Sequence, residues 1–345
     1  MSEAADSRPL VQVHGLSKTF DVSAPWLNRV IERRPRQMVH AVDRVSFSIQ
    51  RGKTLALVGE SGCGKSTVAR LLVGLYPPTE GRVEFDGIDT AATFRSRQAL
   101  GLRRRMQMIF QDPYASLNPR WKVADIVGEP LAEHGLLQAK GGSTSPSVKA
   151  ERKARVIELL QSVGLAAADV EKFPHQFSGG QRQRISIARA LATQPDFLVC
   201  DEPTSALDVS VQAQVLNIMK DLQRQRGLTY LFISHNLAVV RHVSDQVGVM
   251  YLGRVVELAE KADLFARPRH PYTRMLLDAI PDIHMSGRSR TPVQGEVPNP
   301  LDPPRGCTFH PRCPFANERC KVERPALIAA DGAWVACHAV EEGRI

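Results

Sequence analysis

The sequence predicts an α/β protein built on a mostly parallel sheet, and two observations indicate this fold class. Short apolar runs that end at glycine or at an acid, such as TLALVG (54–59) and DFLVCDEP (196–203), have the composition of buried strands. Segments with helical periodicity lie between such runs, for example VQAQVLNIMKDLQRQRG (211–227). Strands that alternate with helices are typical of a parallel sheet covered by helices on both faces.

The amino-terminal elements follow the same reasoning. LVQVHGLSKTF (10–20) and AVDRVSFSIQRG (41–52) alternate apolar and polar residues as half-buried strands do, and a basic insertion lies between them. TVARLLVGL (67–75) has helical spacing and is followed by YPPTEG, which ends the helix. GRVEFDG (81–87) is expected to be a further strand.

The middle and the end of the chain depart from this alternation of strands and helices. Amphipathic helices are expected at 147–165 and 181–195, so we expect a helical subdomain, about 112–194, inserted into an α/β domain that spans 1–265. Residues 266–345 form a small, cysteine-rich extension with few core-forming residues, which cannot build a core alone.

Composition excludes several classes of protein. With 43% hydrophobic and 23% charged residues the chain is an average globular protein, and it has neither a membrane-spanning apolar run nor a secretory signal at MSEAADSRPL. We therefore expect a soluble, cytosolic protein. The net charge of +9 includes basic clusters at 28–37 and 94–107. These lack the interleaved aromatic residues of a single-strand binding groove, which favours solvated faces over nucleic-acid binding.

GESGCGKST (59–67) fits the pattern G-x-x-x-x-G-K-[ST] between a strand and a helix. Its glycines allow the backbone to curl around an anion at a helix N-terminus. Lys65 can reach the β- and γ-phosphates of a nucleotide, and the Ser66 hydroxyl can bind Mg²⁺. A glycine-rich turn without a ligand would not explain the lysine. The candidate phosphate-binding residues are Gly59, Ser61, Gly62, Cys63, Gly64, Lys65, Ser66 and Thr67.

Two adjacent carboxylates follow the apolar strand FLVC (197–200). Asp201 is placed to hold the Mg²⁺ shell, and Glu202 to polarise an attacking water. Packing alone explains such a pair poorly, because unpaired buried carboxylates are costly.

Five segments then occur in the order seen in ATP-binding cassette (ABC) proteins. They are GESGCGKST, QDP (111–113), FSGGQRQR (177–184), CDEPTSALD (200–208) and ISH (233–235). Over residues 10–260 the chain resembles a nucleotide-binding subunit of an ABC transporter, which implies a P-loop NTPase fold that binds ATP and Mg²⁺. Phe177 stands where the family's signature usually has leucine.

The resemblance assigns further roles. It implies that Gln111 couples the γ-phosphate and Mg²⁺ to the membrane subunits, that His235 contacts the γ-phosphate, and that Phe20 stacks on adenine. Ser178, Gly179, Gly180 and Gln181 would close over the ATP of a partner subunit, and Asp208 would lie between the two ATP sites. The residues themselves suit an anion at a helix N-terminus, and a simple Ser178 cap does not account for both glycines.

A narrower resemblance covers residues 236–281 and the cysteine-rich tail, which look like the F-type ATPase subunits of oligopeptide and dipeptide importers. It implies a heterodimer with a second ATPase subunit, two membrane permease subunits and, indirectly, a peptide-binding protein, at the cytoplasmic face of the inner membrane. Related nickel and glutathione importers remain alternatives. A DNA-maintenance or translation ATPase is disfavoured, because no long coiled-coil insertion or second cassette appears. A regulatory module without turnover is disfavoured by Glu202 and His235.

The loop QDPYASLNPRW (111–121) is apolar at Tyr114, Leu117 and Trp121. One interpretation is packing within the helical subdomain. The other is an exposed groove that receives a helix of a membrane subunit.

Four cysteines of the tail, Cys307, Cys313, Cys320 and Cys337, indicate a metal site, because clustered thiols rarely form disulfides in a reducing cytosol. Their spacing lacks the C-x₂-C knuckles common in structural zinc sites. We therefore favour a structural [4Fe–4S] cluster over Zn²⁺, with free thiols as the remaining alternative. The basic residues Arg305, Arg312, Arg319 and Lys321 lie nearby in sequence and would offset the cluster's negative charge.

Overall fold

The computed structural model describes residues 8–26, 28–29, 35–96, 98–138, 145–279 and 295–345. The chain packs into two units, which are each described by themselves. The helical unit contains Ala92–Ile233, Ile49–Lys53 and a segment that ends at Leu10. The phosphate-loop unit contains Val11–Ser48, Thr54–Ala91 and Ser234–Ile345.

The secondary-structure elements are numbered in chain order. The strands are β1 (Val11–Asp21), β2 (Met38–Ile49), β3 (Thr54–Val58), β4 (Glu80–Phe85), β5 (Ile88–Asp89), β6 (Met106–Ile109), β7 (Phe197–Asp201), β8 (Thr229–Ile233), β9 (Gln246–Tyr251), β10 (Arg254–Glu260), β11 (Ile328–Ala330) and β12 (Ala333–Val335). The helices are α1 (Lys65–Leu72), α2 (Thr90–Phe94), α3 (Ala99–Arg105), α4 (Pro113–Ser116), α5 (Val123–Glu133), α6 (Pro146–Ser162), α7 (Gly179–Leu191), α8 (Val209–Arg226), α9 (Leu237–Val243), α10 (Lys261–Ala266), α11 (Pro271–Asp278), α12 (Glu318–Val322) and α13 (His338–Glu341).

In the helical unit, β6, β7 and β8 are adjacent and parallel. All residues of β7 and β8 are buried, in agreement with their near-continuous apolar sequences. Helices α5, α6 and α7 pack around side chains with no exposed surface, including Leu131, Val156 and Leu160. The Ser145 hydroxyl accepts a hydrogen bond from the Val148 N–H and begins α6.

The phosphate-loop unit contains two groups of strands. Strands β2, β1, β4 and β5 form one sheet in that order, and both β1–β4 and β4–β5 are antiparallel. In the other group β3 pairs with β9 in parallel, whereas β9, β10, β12 and β11 follow one another antiparallel. β3 is the buried strand that leads into the phosphate loop.

The C-terminal extension is held by elements of this same unit. β12 continues the sheet from β10, with Trp334 opposite Leu258. Phe309, 1% exposed, packs against the rings of Tyr251 and Tyr272, with centroids 5.3 and 5.4 Å away. The extension thus gains apolar burial from β9 and β10, which precede it, and from its own helix α11.

The α/β fold with parallel core strands agrees with the sequence prediction. The antiparallel sheet of β1, β2, β4 and β5 was not foreseen, because alternation identifies strands but not their partners. The predicted boundary at residue 265 stays a prediction; here the packing places Ser234–Ile345 in one unit. Within the described ranges, no helix has the length and apolar character needed to cross a membrane.

Candidate functional site

The phosphate loop connects β3 to α1 along a path that requires glycine. Gly59 and Gly64 have φ angles of 150° and 103°. A Cβ at Gly59 would collide with the carbonyl oxygen of Met250, and one at Gly64 with that of Ala41. The glycines therefore let the loop lie directly against neighbouring backbone before α1 begins. This shape fits the backbone cradle that a nucleotide phosphate needs.

Lys65, the first residue of α1, is only 5% exposed. Its Nζ donates hydrogen bonds to the carbonyl oxygens of Gly59 at 2.8 Å and Glu60 at 3.0 Å. The ammonium group is thus held within the loop and available to an anionic ligand. The Cys63 thiol lies 3.6 Å from Nζ, and burial raises its pKa. A buried thiol that stays protonated is a poor nucleophile, so Cys63 is not a reactive cysteine.

Two further candidates, the aromatic residue Phe20 and the imidazole residue His235, also lie in the phosphate-loop unit. Phe20 is partly exposed near the end of β1, where Tyr76 contacts it edge-on with ring centroids 5.5 Å apart. Lys18 Nζ lies 5.2 Å from the Phe20 centroid. His235 is exposed immediately after β8. The next residue, Asn236, begins α9 by accepting a hydrogen bond from the Ala238 N–H.

The acidic candidates lie in the helical unit, at the carboxyl end of β7. Asp201 is 3% exposed, and Glu202 follows it with a φ of 45°. The Glu202 N–H donates to the Ile233 carbonyl, while its carboxylate accepts a hydrogen bond from Gln111 Nε2 at 3.2 Å. A left-handed conformation costs free energy for a residue with a side chain, and Glu202 is one of several such residues in the described part of the chain. Two predicted site residues distant in sequence, Gln111 and Glu202, are therefore in contact.

Ser178 begins α7 with a reciprocal cap. Its hydroxyl accepts from the Gln181 N–H at 3.3 Å, and the Gln181 side chain accepts from the Ser178 N–H at 3.0 Å. A Cβ at Gly180 would collide with Val211 of α8, whereas one at Gly179 would make only ordinary contact. Packing against Val211 thus gives Gly180 a structural reason that is independent of any ligand, and the ligand role of the two glycines stays a prediction.

Asp208 caps α8 in a similar way. Its carboxylate accepts hydrogen bonds from the Val211 N–H at 3.0 Å and the Ser210 hydroxyl at 2.7 Å. These bonds, that of the Val211 backbone first, lower the pKa of Asp208. The side chain is therefore ionised and oriented by its own helix.

The loop after Gln111 contains both buried and exposed apolar residues. Leu117 is 2% exposed, which agrees with packing inside the helical unit, and it borders the same surface groove as Tyr114 and Trp121. Tyr114 and Trp121 are 64% and 40% exposed. Arg182, just beyond the Ser178–Gln181 segment, stacks on Tyr114 with its guanidinium carbon 3.8 Å from the ring centroid. Sequence reasoning missed this contact, because no local pattern pairs the two residues.

The four tail cysteines converge in the phosphate-loop unit. The Cys307 N–H donates to the Cys320 carbonyl at 2.8 Å, and Cys313 lies within electrostatic range of Cys307, Cys320 and Cys337. Burial raises the pKa of Cys307 and of Cys313 to about 11. In the part of the chain that the structure describes, however, no group of three or more His, Cys, Asp and Glu side chains is arranged to hold a metal ion. The metal-site prediction is therefore not confirmed.

Two residues of the phosphate-loop unit contact Glu60, inside the loop: Tyr272, which sequence reasoning did not assign, and Arg312, which it expected beside the cysteines. The Arg312 guanidinium binds the Glu60 carboxylate at 2.8 and 3.0 Å, and the Tyr272 hydroxyl accepts the Glu60 N–H at 2.9 Å. Residues 60 and 312 are far apart in sequence, so no motif could have shown the pairing.

Two segments of the chain match known protein families. Residues 42–205 match a family described as ABC transporter, and residues 256–320 match one described as oligopeptide/dipeptide transporter, C-terminal region. The chain is 46% identical to the oligopeptide transport ATP-binding protein AppF of Bacillus subtilis, over 97% of this chain and 98% of that protein. It is 52% identical to the di/tripeptide transport ATP-binding protein DppF of Pseudomonas aeruginosa, over 88% of this chain and 91% of that protein.

A solved structure shares the fold. The ATP-binding cassette MJ0796, solved as a dimer in a post-hydrolysis state with ADP and Pi, superposes with a TM-score of 0.61 at 28% identity. The match covers 73% of this chain and 98% of that one.

Proposed function

The chain belongs to the ABC transporter family of ATP-hydrolysing subunits, and from that premise we propose that it drives the import of dipeptides or oligopeptides. The observation that supports the substrate class most strongly is the oligopeptide/dipeptide C-terminal region at 256–320, on the same chain as the cassette. Relatives named for dipeptide and oligopeptide transport, at 46–52% identity, support it further.

We assign nucleotide binding to the phosphate loop, with Phe20 beside the base. The loop backbone from Gly59 to Thr67 binds the β- and γ-phosphates, and the Lys65 ammonium transfers from its carbonyl partners to phosphate oxygens. Ser66, Gln111 and Asp201 are the residues that would hold Mg²⁺. When bound, this ion neutralises developing charge on the phosphates.

Hydrolysis requires a group that accepts a proton from the attacking water. We assign this role to Glu202, whose carboxylate is positioned by Gln111 and by the strained backbone at the end of β7. His235 contacts the γ-phosphate and stabilises the transition state with Lys65. Because Gln111 contacts both Glu202 and the ligand site in this scheme, it links the catalytic carboxylate to the following surface loop.

The proposed assembly is a heterodimer with a second ATPase subunit beneath two permease subunits, peripheral to the cytoplasmic face of the inner membrane. In this assembly Ser178, Gly179, Gly180 and Gln181 contact the partner's nucleotide, and Asp208 lies between the sites. The dimeric state of the related cassette MJ0796 supports the arrangement. A permease helix is received by the groove that Tyr114, Leu117 and Trp121 line, with Tyr114 and Trp121 as its exposed apolar residues.

The test is uptake into proteoliposomes that contain this chain, its ATPase partner and two permeases. We expect ATP-dependent accumulation of a labelled dipeptide when the peptide-binding protein is added, and none with Lys65→Ala. Uptake of nickel or glutathione in place of peptide would assign the chain to one of those importers. Salt-sensitive DNA binding without assembly with permeases would support a DNA-maintenance ATPase.

For the tail we propose a structural [4Fe–4S] cluster bound by Cys307, Cys313, Cys320 and Cys337. The donor set fits, because four convergent, largely buried thiols are the ligands such clusters take. Their placement in the present structure is not that of an ion site, so the side chains must rearrange on loading. The bound group would cross-link a segment that has little core of its own.

Metal analysis decides this point. Protein purified without oxygen should contain about four iron and four acid-labile sulfide per chain. Cys313→Ser should lose both. One zinc without sulfide would establish the zinc alternative, and neither metal would leave free thiols.

A further inference from the structure

Glu60 is the second residue of the phosphate loop, yet its side chain is held by the C-terminal extension. Both Glu60 carboxylate oxygens accept hydrogen bonds from the two terminal nitrogens of Arg312, a paired geometry that is among the strongest side-chain contacts. The Tyr272 hydroxyl accepts the Glu60 N–H. Two residues of the extension, Arg312 and Tyr272, therefore fix both the side chain and the backbone of a loop residue.

Arg312 is itself fixed in place. Its side chain is 2% exposed, and its guanidinium lies 5.8 Å from the Tyr251 ring centroid and 6.0 Å from that of Phe309. It ends a short 3₁₀ turn, His310–Arg312, between Cys307 and Cys313. The Cys307 carbonyl accepts the His310 N–H, and the His310 carbonyl accepts the Cys313 N–H. Arg312 is thus positioned by the same turn that positions two of the cysteines.

We propose that Arg312 is a positioning residue of the ATP site. Arg312 acts through Glu60, so the C-terminal extension helps to set the conformation of the phosphate loop. The proposal rests on the phosphate loop being the ATP site. Lys65 Nζ is bound to the Glu60 carbonyl, so a shift of Glu60 shifts the ammonium partner as well.

Charge is the second reason for this role. With Arg312 in place, the Glu60 carboxylate is neutralised and turned to the extension. Without Arg312, an unpaired carboxylate remains in a loop that must bind polyphosphate, where it competes for the Lys65 ammonium and repels the ligand. Removal of Arg312 should therefore harm binding more than removal of the whole ion pair.

The experiment measures displacement of trinitrophenyl-ATP by Mg-ATP from the full-length chain. Arg312→Met should weaken ATP affinity about tenfold, on the scale of one charge-assisted hydrogen bond, and Arg312→Lys by less. The double variant Arg312→Met/Glu60→Gln should regain most of the loss. In steady-state hydrolysis the single variant should raise KM for ATP with little change in kcat.

Two controls separate the possible causes. Arg319 forms its ion pairs with Glu323, Glu341 and Glu342 inside the extension, so Arg319→Met disturbs the extension without touching Glu60 and should leave ATP affinity unchanged. Lys65→Ala should abolish binding; if it does not, the assignment of the ATP site fails. If Lys65→Ala abolishes binding while Arg312→Met binds normally, or if the double variant is as weak as the single one, the role of Arg312 is overturned.

Discussion

At the scale of single residues, close packing against neighbouring atoms requires glycine at several positions of the candidate site, in addition to any requirement for binding a ligand. Gly59 and Gly64 lie against the carbonyl oxygens of Met250 and Ala41, so the loop path excludes any side chain. Gly180 lies against Val211, while Gly179 has room for a Cβ. The sequence motif identifies all four glycines, but only the packing shows that Gly180 has a structural role and that Gly179 does not.

Gly180→Ala should therefore lower the free energy of unfolding by about 1–3 kcal/mol, the usual cost of overpacking. The added methyl group meets Val211 Cγ1 across the contact between α7 and α8. Urea unfolding of the purified chain measures the change. In a Val211→Ala background the same substitution should cost much less, and Gly179→Ala should be nearly neutral. Equal costs for Gly180→Ala in both backgrounds would contradict the packing explanation.

At the scale of elements, the segment after Gln111 is packed on the helix that Ser178 begins. Tyr114 of α4 stacks on Arg182 of α7, and the Ser116 carbonyl accepts a hydrogen bond from Arg189 at 3.0 Å. The segment after Gln111, where we propose that a permease helix docks, is therefore in direct contact with α7, which we propose contacts a partner's nucleotide. If a permease helix displaced α4, the contact between Tyr114 and Arg182 would shift the N-terminal part of α7 as well.

The difference between buried and exposed positions in this segment gives a prediction. Leu117→Ala should lower the free energy of unfolding by about 2–5 kcal/mol, because it opens a cavity in the helical unit. Tyr114→Ala removes mainly an exposed ring and its cation–π contact, and should cost about 1 kcal/mol or less. Urea unfolding compares the two. A larger loss for Tyr114→Ala than for Leu117→Ala would contradict the assigned burial.

At the scale of the whole molecule, local sequence patterns predicted the chemistry of the site well, but they did not predict the contacts between distant segments. The phosphate loop, the acid pair after β7 and the alternation of strands and helices could be read from short segments, because each is set by neighbouring residues. The Glu60–Arg312 pair and the antiparallel sheet could not, because they join distant segments that carry no common pattern. The sequence also left packing and docking both open for Leu117, because burial depends on how distant segments fold together.

The central claim, that this chain hydrolyses ATP with Glu202 as the base, is tested most directly by Glu202→Gln. The amide cannot accept a proton from water, so the variant should bind ATP normally while its hydrolysis rate in the purified complex falls at least about a hundredfold. Glu171→Gln is the matched control, since it removes a carboxylate that pairs with Lys122 and Lys153 on the same unit's surface, and it should hydrolyse at the wild-type rate. Near-normal hydrolysis by Glu202→Gln would contradict the account.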